Sequence, residues 1–128
     1  MSAQRLNDAR QKILVVDDDC TLRELLADYL ERVGFEVRTA PDGRAGLDAL
    51  DGCHFDLILT DYRMSAMTGI EMAAVIRRSD TVTPIILITG DFYELNAEIV
   101  AQAGITRMLP KPLKLNELLT CVQTAKST

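Results

Sequence analysis

Basic residues are in the minority, histidine occurs once, and cysteine only three times. Lys and Arg number 14 against 19 Asp and Glu, a formal net charge of −5. A phosphate backbone is bound through a basic surface, so this balance excludes non-specific nucleic-acid binding as the expected role. It leaves open control of a DNA-binding partner. Cys20, Cys53 and Cys121 are odd in number and widely spaced, with no C-x-x-C. They exclude a disulfide framework and fit free thiols in a reducing compartment. His54, alone, forms no zinc cluster with them on spacing. No stretch approaches the ~18 apolar residues of a membrane span. The opening MSAQRLNDARQK lacks the apolar centre of a secretory signal. The expectation is a cytoplasmic protein without membrane insertion. Repeats, low-complexity segments and internal linkers are also missing.

What is present is a chain of 128 residues, 48% hydrophobic, enough for one domain with a sizeable core. Residues 1–11 read as a flexible extension and 12–124 as the domain. KILVV at 12–16 is a short continuous apolar run, as a strand buried on both faces should be. Thr21 to Glu24 has capping-box spacing and predicts a helix with Leu22, Leu25, Leu26, Tyr29, Leu30 and Val33 on its apolar side. Gly34 stops it. Residues 35–40 predict a more polar edge strand, and Pro41-Asp42-Gly43 a turn before a short helix over 44–50. Residues 55–60 predict a third strand ending on Asp61, 63–69 a loop, and 70–78 a helix. A fourth strand spans 84–88 and runs into Thr89-Gly90. A helix over 94–103 stops at Gly104, and a weak strand over 105–109 leads to Pro110-Lys111-Pro112. The last helix covers 115–125, with Asn116 as its cap and Leu118, Leu119 and Val122 facing inward. Five strand–helix pairs imply a doubly wound (βα)5 fold, flavodoxin-like, with a five-stranded parallel sheet of order 2-1-3-4-5 and helices on both faces.

In such sheets ligands sit at the carboxyl ends of the strands, beside the switch point between strands one and three. Strand one there ends in Asp17, Asp18 and Asp19, and strand three in Asp61. Strand four ends in Thr89 and strand five in Lys111. Crowded carboxylates raise one another's pKa unless a cation neutralises them. A hard cation with oxygen ligands fits, Mg²⁺ best. One carboxylate can then act as nucleophile toward phosphorus, and Asp61, alone at the central strand, is that candidate. The cation and Lys111 would stabilise charge on the phosphoryl oxygens, and the Thr89 hydroxyl can donate to one.

VVDD at 15–18, LTDYRM…TG at 59–69, LITG at 87–90 and the Lys-Pro pair at 111–112 together resemble the receiver domain of two-component response regulators. The resemblance covers roughly residues 12–124. It implies that Asp61 is the phosphoacceptor, fed by a histidine kinase or phosphotransfer protein. Asp17, Asp18, Asp61 and the backbone carbonyl of Arg63 would hold Mg²⁺, with Mn²⁺ able to substitute. Thr89 and Lys111 would bind the phosphoryl group, and Thr89 and Met108 would be the switch positions. Asp19 falls outside the family's acidic pair. The implied role is a signalling switch acting through the face formed by helix four, strand five and helix five. It would catalyse its own phosphorylation and dephosphorylation and not be an enzyme of turnover. A phosphorylation-dependent dimer is compatible with that role. No output motif follows residue 125, so the chain reads as a stand-alone receiver or one cut from a longer regulator or hybrid kinase.

Departures from the family pattern are Ser65 where proline is common, Thr68-Gly69 for Asp-Gly, and Met108 where an aromatic residue is usual. Arg63, two residues past the nucleophile, is expected to project over the site. Two rivals share the topology. A flavin-type cofactor binder needs small and hydroxyl residues after strand one, and Asp17-Asp18-Asp19 would repel its phosphate. A degenerate receiver, working as a phosphorylation-independent interaction module, would not need the full set of Asp17, Asp18, Asp61, Thr89 and Lys111. His54 reads as a surface residue, Met64, Met67 and Met72 as packing residues, and one of Phe92 and Tyr93 as exposed.

Overall fold

The alternation of side chains along each strand decides which helix covers which face. The computed structural model describes residues 10–125; the expected extension, apart from residues 10 and 11, lies outside them. β1 (Lys12–Val16), β2 (Glu36–Ala40), β3 (Leu57–Asp61), β4 (Ile85–Thr89) and β5 (Arg107–Pro110) form one sheet in the order β2-β1-β3-β4-β5. Every pairing is parallel, from Lys12 opposite Glu36 to Thr89 opposite Pro110. The helices are α1 (Cys20–Arg32), α2 (Gly43–Gly52), α3 (Gly69–Ile76), α4 (Ala97–Gln102) and α5 (Leu115–Ala125). β3 and β4 are buried throughout, whereas β2 at the edge is mostly exposed. The expected topology is therefore found.

Ile13, Val15, Leu57, Leu59, Ile86 and Ile88 point to one face, against Leu26 and Leu30 of α1 and Leu118 and Val122 of α5. Leu14, Val16, Ile58, Ile85 and Leu87 point to the other, against Met72 and Ile76 of α3 and Val100 of α4. The period of two thus divides the core into two layers separated by the sheet. Each fully buried aliphatic contributes about 1.5–3 kcal/mol by leaving water. Truncating Leu59 or Ile86 to Ala, both essentially unexposed, would cost about 2–5 kcal/mol.

Local signals set the helix ends, in places one turn away from where the sequence placed them. α1 starts at Cys20, not behind a capping box at Thr21. Asp19 is already extended, and its Oδ1 accepts from the Leu22 N–H at 3.2 Å. Thr21 then lies inside the first turn, and Glu24 instead accepts from Cys20 Sγ at 3.3 Å. Leu25 and Val33 are exposed, at 50% and 42%, because they sit off the Leu22–Leu26–Leu30 stripe. A true capping box opens α3: Thr68 Oγ1 accepts from Glu71 N at 3.1 Å, and Glu71 returns an oxygen to Thr68 N at 2.9 Å. α4 begins at Ala97, later than expected, because Asn96 Oδ1 caps Glu98 N and Ile99 N. Asn116 is not the cap of α5; the first helical bond runs from Leu118 N to Lys114 O, leaving Asn116 inside the turn. Gly34 and Gly104, both at positive φ, end α1 and α4 as expected.

Candidate functional site

The carboxyl ends of β1, β3, β4 and β5 meet at one edge of the sheet and bring the expected polar set with them. Asp17 follows β1 directly and is 1% exposed; its N–H donates to Ala40 O at 3.1 Å. Its Oδ1 accepts from Asp19 N at 2.9 Å, and its carbonyl accepts from Arg23 Nη1 at 2.7 Å. Asp61 closes β3 and is 6% exposed. Its Oδ1 accepts from Tyr62 N at 2.9 Å and lies 3.1 Å from Lys111 Nζ. Lys111 is placed by its own N–H, which donates to Thr89 O at 2.9 Å. The Lys111–Pro112 peptide is cis.

Asp17, Asp18 and Asp61 each offer a carboxylate oxygen within 4.8 Å of the others. Only Asp18 of the three is exposed. Burial pushes Asp17 up from 3.8 to about 6, and the charge of Asp61 adds to the rise. The Asp19 N–H and the Lys111 ammonium pull the other way and do not cancel it. A buried carboxyl that resists ionisation, facing two others, is the donor set a hard divalent cation would satisfy.

Thr89 is buried, and its Oγ1 accepts from Asp91 N at 2.8 Å. Met108 is partly buried on the α4 side of the sheet, opposite Leu87 in the register. Met72 is fully buried, with Met64 and Met67 packed against the same cluster. His54 is exposed and lies 3.4 Å from Asp56. Tyr93 is 88% exposed and meets Phe92 edge-on, so it is the outward aromatic.

Arg63 departs from expectation. Its guanidinium does not turn over Asp61 but pairs with Asp91, on the turn after β4. The guanidinium carbon lies 5.5 Å from the Tyr62 ring centroid. Asp91 escaped the sequence reading because its partner is 28 residues away; its place two residues past Thr89 was the available signal. Gly69, part of the TG pair in the sequence motif, has a packing role that the motif does not show. A Cβ there would stand 2.2 Å from the Asp61 carbonyl, and the Gly69 N–H donates to Tyr62 O at 2.8 Å. Only glycine lets α3 start this close to the strand that carries Asp61. Ala66, in the same loop, adopts φ 71°, unfavourable for a residue with a Cβ.

A parallel sheet of order 2-1-3-4-5 with carboxylates at its switch point, and a hydroxyl and an ammonium on the next two strands, defines a doubly wound α/β domain with a polar ligand site at its strand ends. Residues 13–123 match the model of the response regulator receiver domain. The chain belongs to that family, whose members are phosphorylation-controlled signalling switches of two-component systems. It is 38% identical over 112 residues to the transcriptional regulatory protein CpxR of Escherichia coli, covering 88% of this chain and 47% of CpxR. The chain spans about half the length of the curated relatives it matches. Among solved structures, the chemotaxis protein CheY4 of Vibrio cholerae superposes with a TM-score of 0.85 at 33% identity, over 91% of this chain and 99% of that one. The response regulator TrrA of Thermotoga maritima, solved in complex with Mg²⁺ and BeF, gives 0.82 at 30% identity over 90% and 98%. Among the described residues no helix is long and apolar enough to cross a membrane.

Proposed function

We propose that Asp61 accepts a phosphoryl group from a phosphohistidine on a partner kinase or phosphotransfer protein. The observation that carries this is the position of the Asp61 carboxylate, clustered with those of Asp17 and Asp18 and 3.1 Å from Lys111 Nζ. An Asp61 oxygen bonds to phosphorus as the phosphorus–nitrogen bond breaks. The leaving imidazole keeps the electron pair and takes up a proton. Lys111 holds Asp61 in place beforehand and neutralises charge on the transferring oxygens. Asp17, Asp18, Asp61 and the Arg63 carbonyl are the groups that would hold Mg²⁺, or Mn²⁺ in its place. Bound there, the cation supplies positive charge against the phosphoryl oxygens. The Thr89 hydroxyl then donates to the aspartyl phosphate, and its turn follows inward.

That movement shifts the face of α4, β5 and α5 between two arrangements read by an output partner or a second copy of the chain. Met108, flexible and half-buried on that face, fills the space the moving turn leaves. The domain acts in the cytoplasm as a switch, without catalysing turnover of a metabolite.

The test is incubation with acetyl phosphate, with and without Mg²⁺, read by intact mass. A phosphoryl adduct on wild type that needs Mg²⁺ and is lost in Asp61→Asn is expected. Failure to gain an adduct, together with failure to bind beryllofluoride, would leave a phosphorylation-independent interaction module as the better reading.

A further inference from the structure

Arg63 and Asp91 connect two loops that the sequence keeps apart. Arg63 lies on the β3–α3 loop, two residues past Asp61, and Asp91 on the β4–α4 turn. The Asp91 carboxylate accepts from Arg63 Nε. The Asp91 backbone N–H donates to Thr89 Oγ1 at 2.8 Å. One residue thus has its side chain held by the loop beside the phosphoacceptor and its backbone holding the Thr89 hydroxyl. Arg63 also leans on the Tyr62 ring, which limits how far its guanidinium can follow a departing carboxylate.

We infer that the Arg63–Asp91 pair is a latch that keeps the β4–α4 turn in its resting form and so sets the activation threshold of the switch. The inference rests on the phosphoacceptor reading above, in which Thr89 and its turn move toward Asp61. For the turn to move, Thr89 Oγ1 must leave the Asp91 N–H, and a clamped Asp91 resists that. A ligand that binds only the moved form pays for the clamped population through a weaker apparent affinity. The Arg63 side chain is 75% exposed and that of Asp91 25%, so the latch is a partly solvated pair and its effect is modest and salt-sensitive.

Charge alone and a latch make opposite demands. Arg63→Gln removes a positive charge near the site, and Asp91→Asn removes a negative one. If only charge mattered, the two would move the affinity for an anionic phosphoryl analogue in opposite directions. A latch requires both to raise it. The experiment is titration of Mg²⁺ with beryllofluoride on the full chain, for wild type, Arg63→Gln, Asp91→Asn and the double variant. Each single variant is expected to bind about two- to fivefold more tightly at low salt. The double variant should bind no more tightly than the better single one. About 1 M salt should bring wild type toward the variants. Asp91→Asn keeps the backbone N–H, so faster amide exchange at position 91 in both variants is the structural readout. Opposite shifts, or no shift in either variant, would overturn the latch while leaving the phosphoacceptor reading intact. Loss of binding in wild type itself would overturn both.

Discussion

Asp17 is the residue whose protonation should be most visible in stability. It is 1% exposed, and its pKa stands at about 6 in place of 3.8. Folding therefore favours the protonated form. The stability this carboxyl contributes is fully present below pH 3.8 and is lost as pH rises through about 6. At about 1.4 kcal/mol per pH unit, the whole effect is about 3 kcal/mol. Asp17→Asn removes the ionisable group and keeps an oxygen for the Asp19 N–H. In urea unfolding without divalent cations, the variant should match wild type near pH 4 and exceed it by up to about 3 kcal/mol at pH 8. Most of that gap should open between pH 4 and 6. Mg²⁺ should close it from the other side, since a ligand at a hundred times its Kd stabilises by about 2.7 kcal/mol and the variant lacks a full donor set. A gap that stays flat within about 0.5 kcal/mol from pH 4 to 8 would refute the reasoning. So would a wild type that gains on the variant as pH rises.

Gly69→Ala should lower stability by about 3 kcal/mol or more, because the added carbon meets backbone at 2.2 Å; thermal unfolding checks it, and the phosphorylation rate should fall with it. Ala66→Gly should stabilise by up to about 1 kcal/mol by relieving the positive φ, measured by chemical denaturation. Lys111→Ala should slow phosphorylation by acetyl phosphate about 10²-fold with the fold intact. It should also push Asp17 above about 6, since the ammonium now holds it down, and carbon-detected NMR of the carboxyl would report this.

The strands were legible because parallel strands buried on both faces are written as unbroken apolar runs, as in KILVV and PIILI. Their ends were legible because an apolar run that stops on Asp17, Asp61 or Thr89 places those residues at one sheet edge once the order is known. Helix starts were harder. Asp19 and Thr21 are both capping residue types two positions apart, and backbone geometry chose between them. The same competition placed Asn116 inside α5. Arg63 was misread for a different reason. Its register beside Asp61 pointed toward the site, but its partner comes from another strand end, and no local pattern encodes a contact 28 residues away.

The close seating of Gly69 against the Asp61 carbonyl has a mechanical meaning. β3 and α3 are joined there with no room for a methyl group between them. The Tyr62 N–H meanwhile ties the end of β3 to Ile88 of β4 at 3.1 Å. Asp61 is therefore mounted like an anvil, fixed from two directions and unable to shift without dragging a helix with it. Under the proposed mechanism, motion would be taken up across the site, where Thr89 hands over to a turn and the six-residue α4. In the proposed switch the acceptor would thus stand in the heavily tied half of the domain, and the lighter half would be the one to swing.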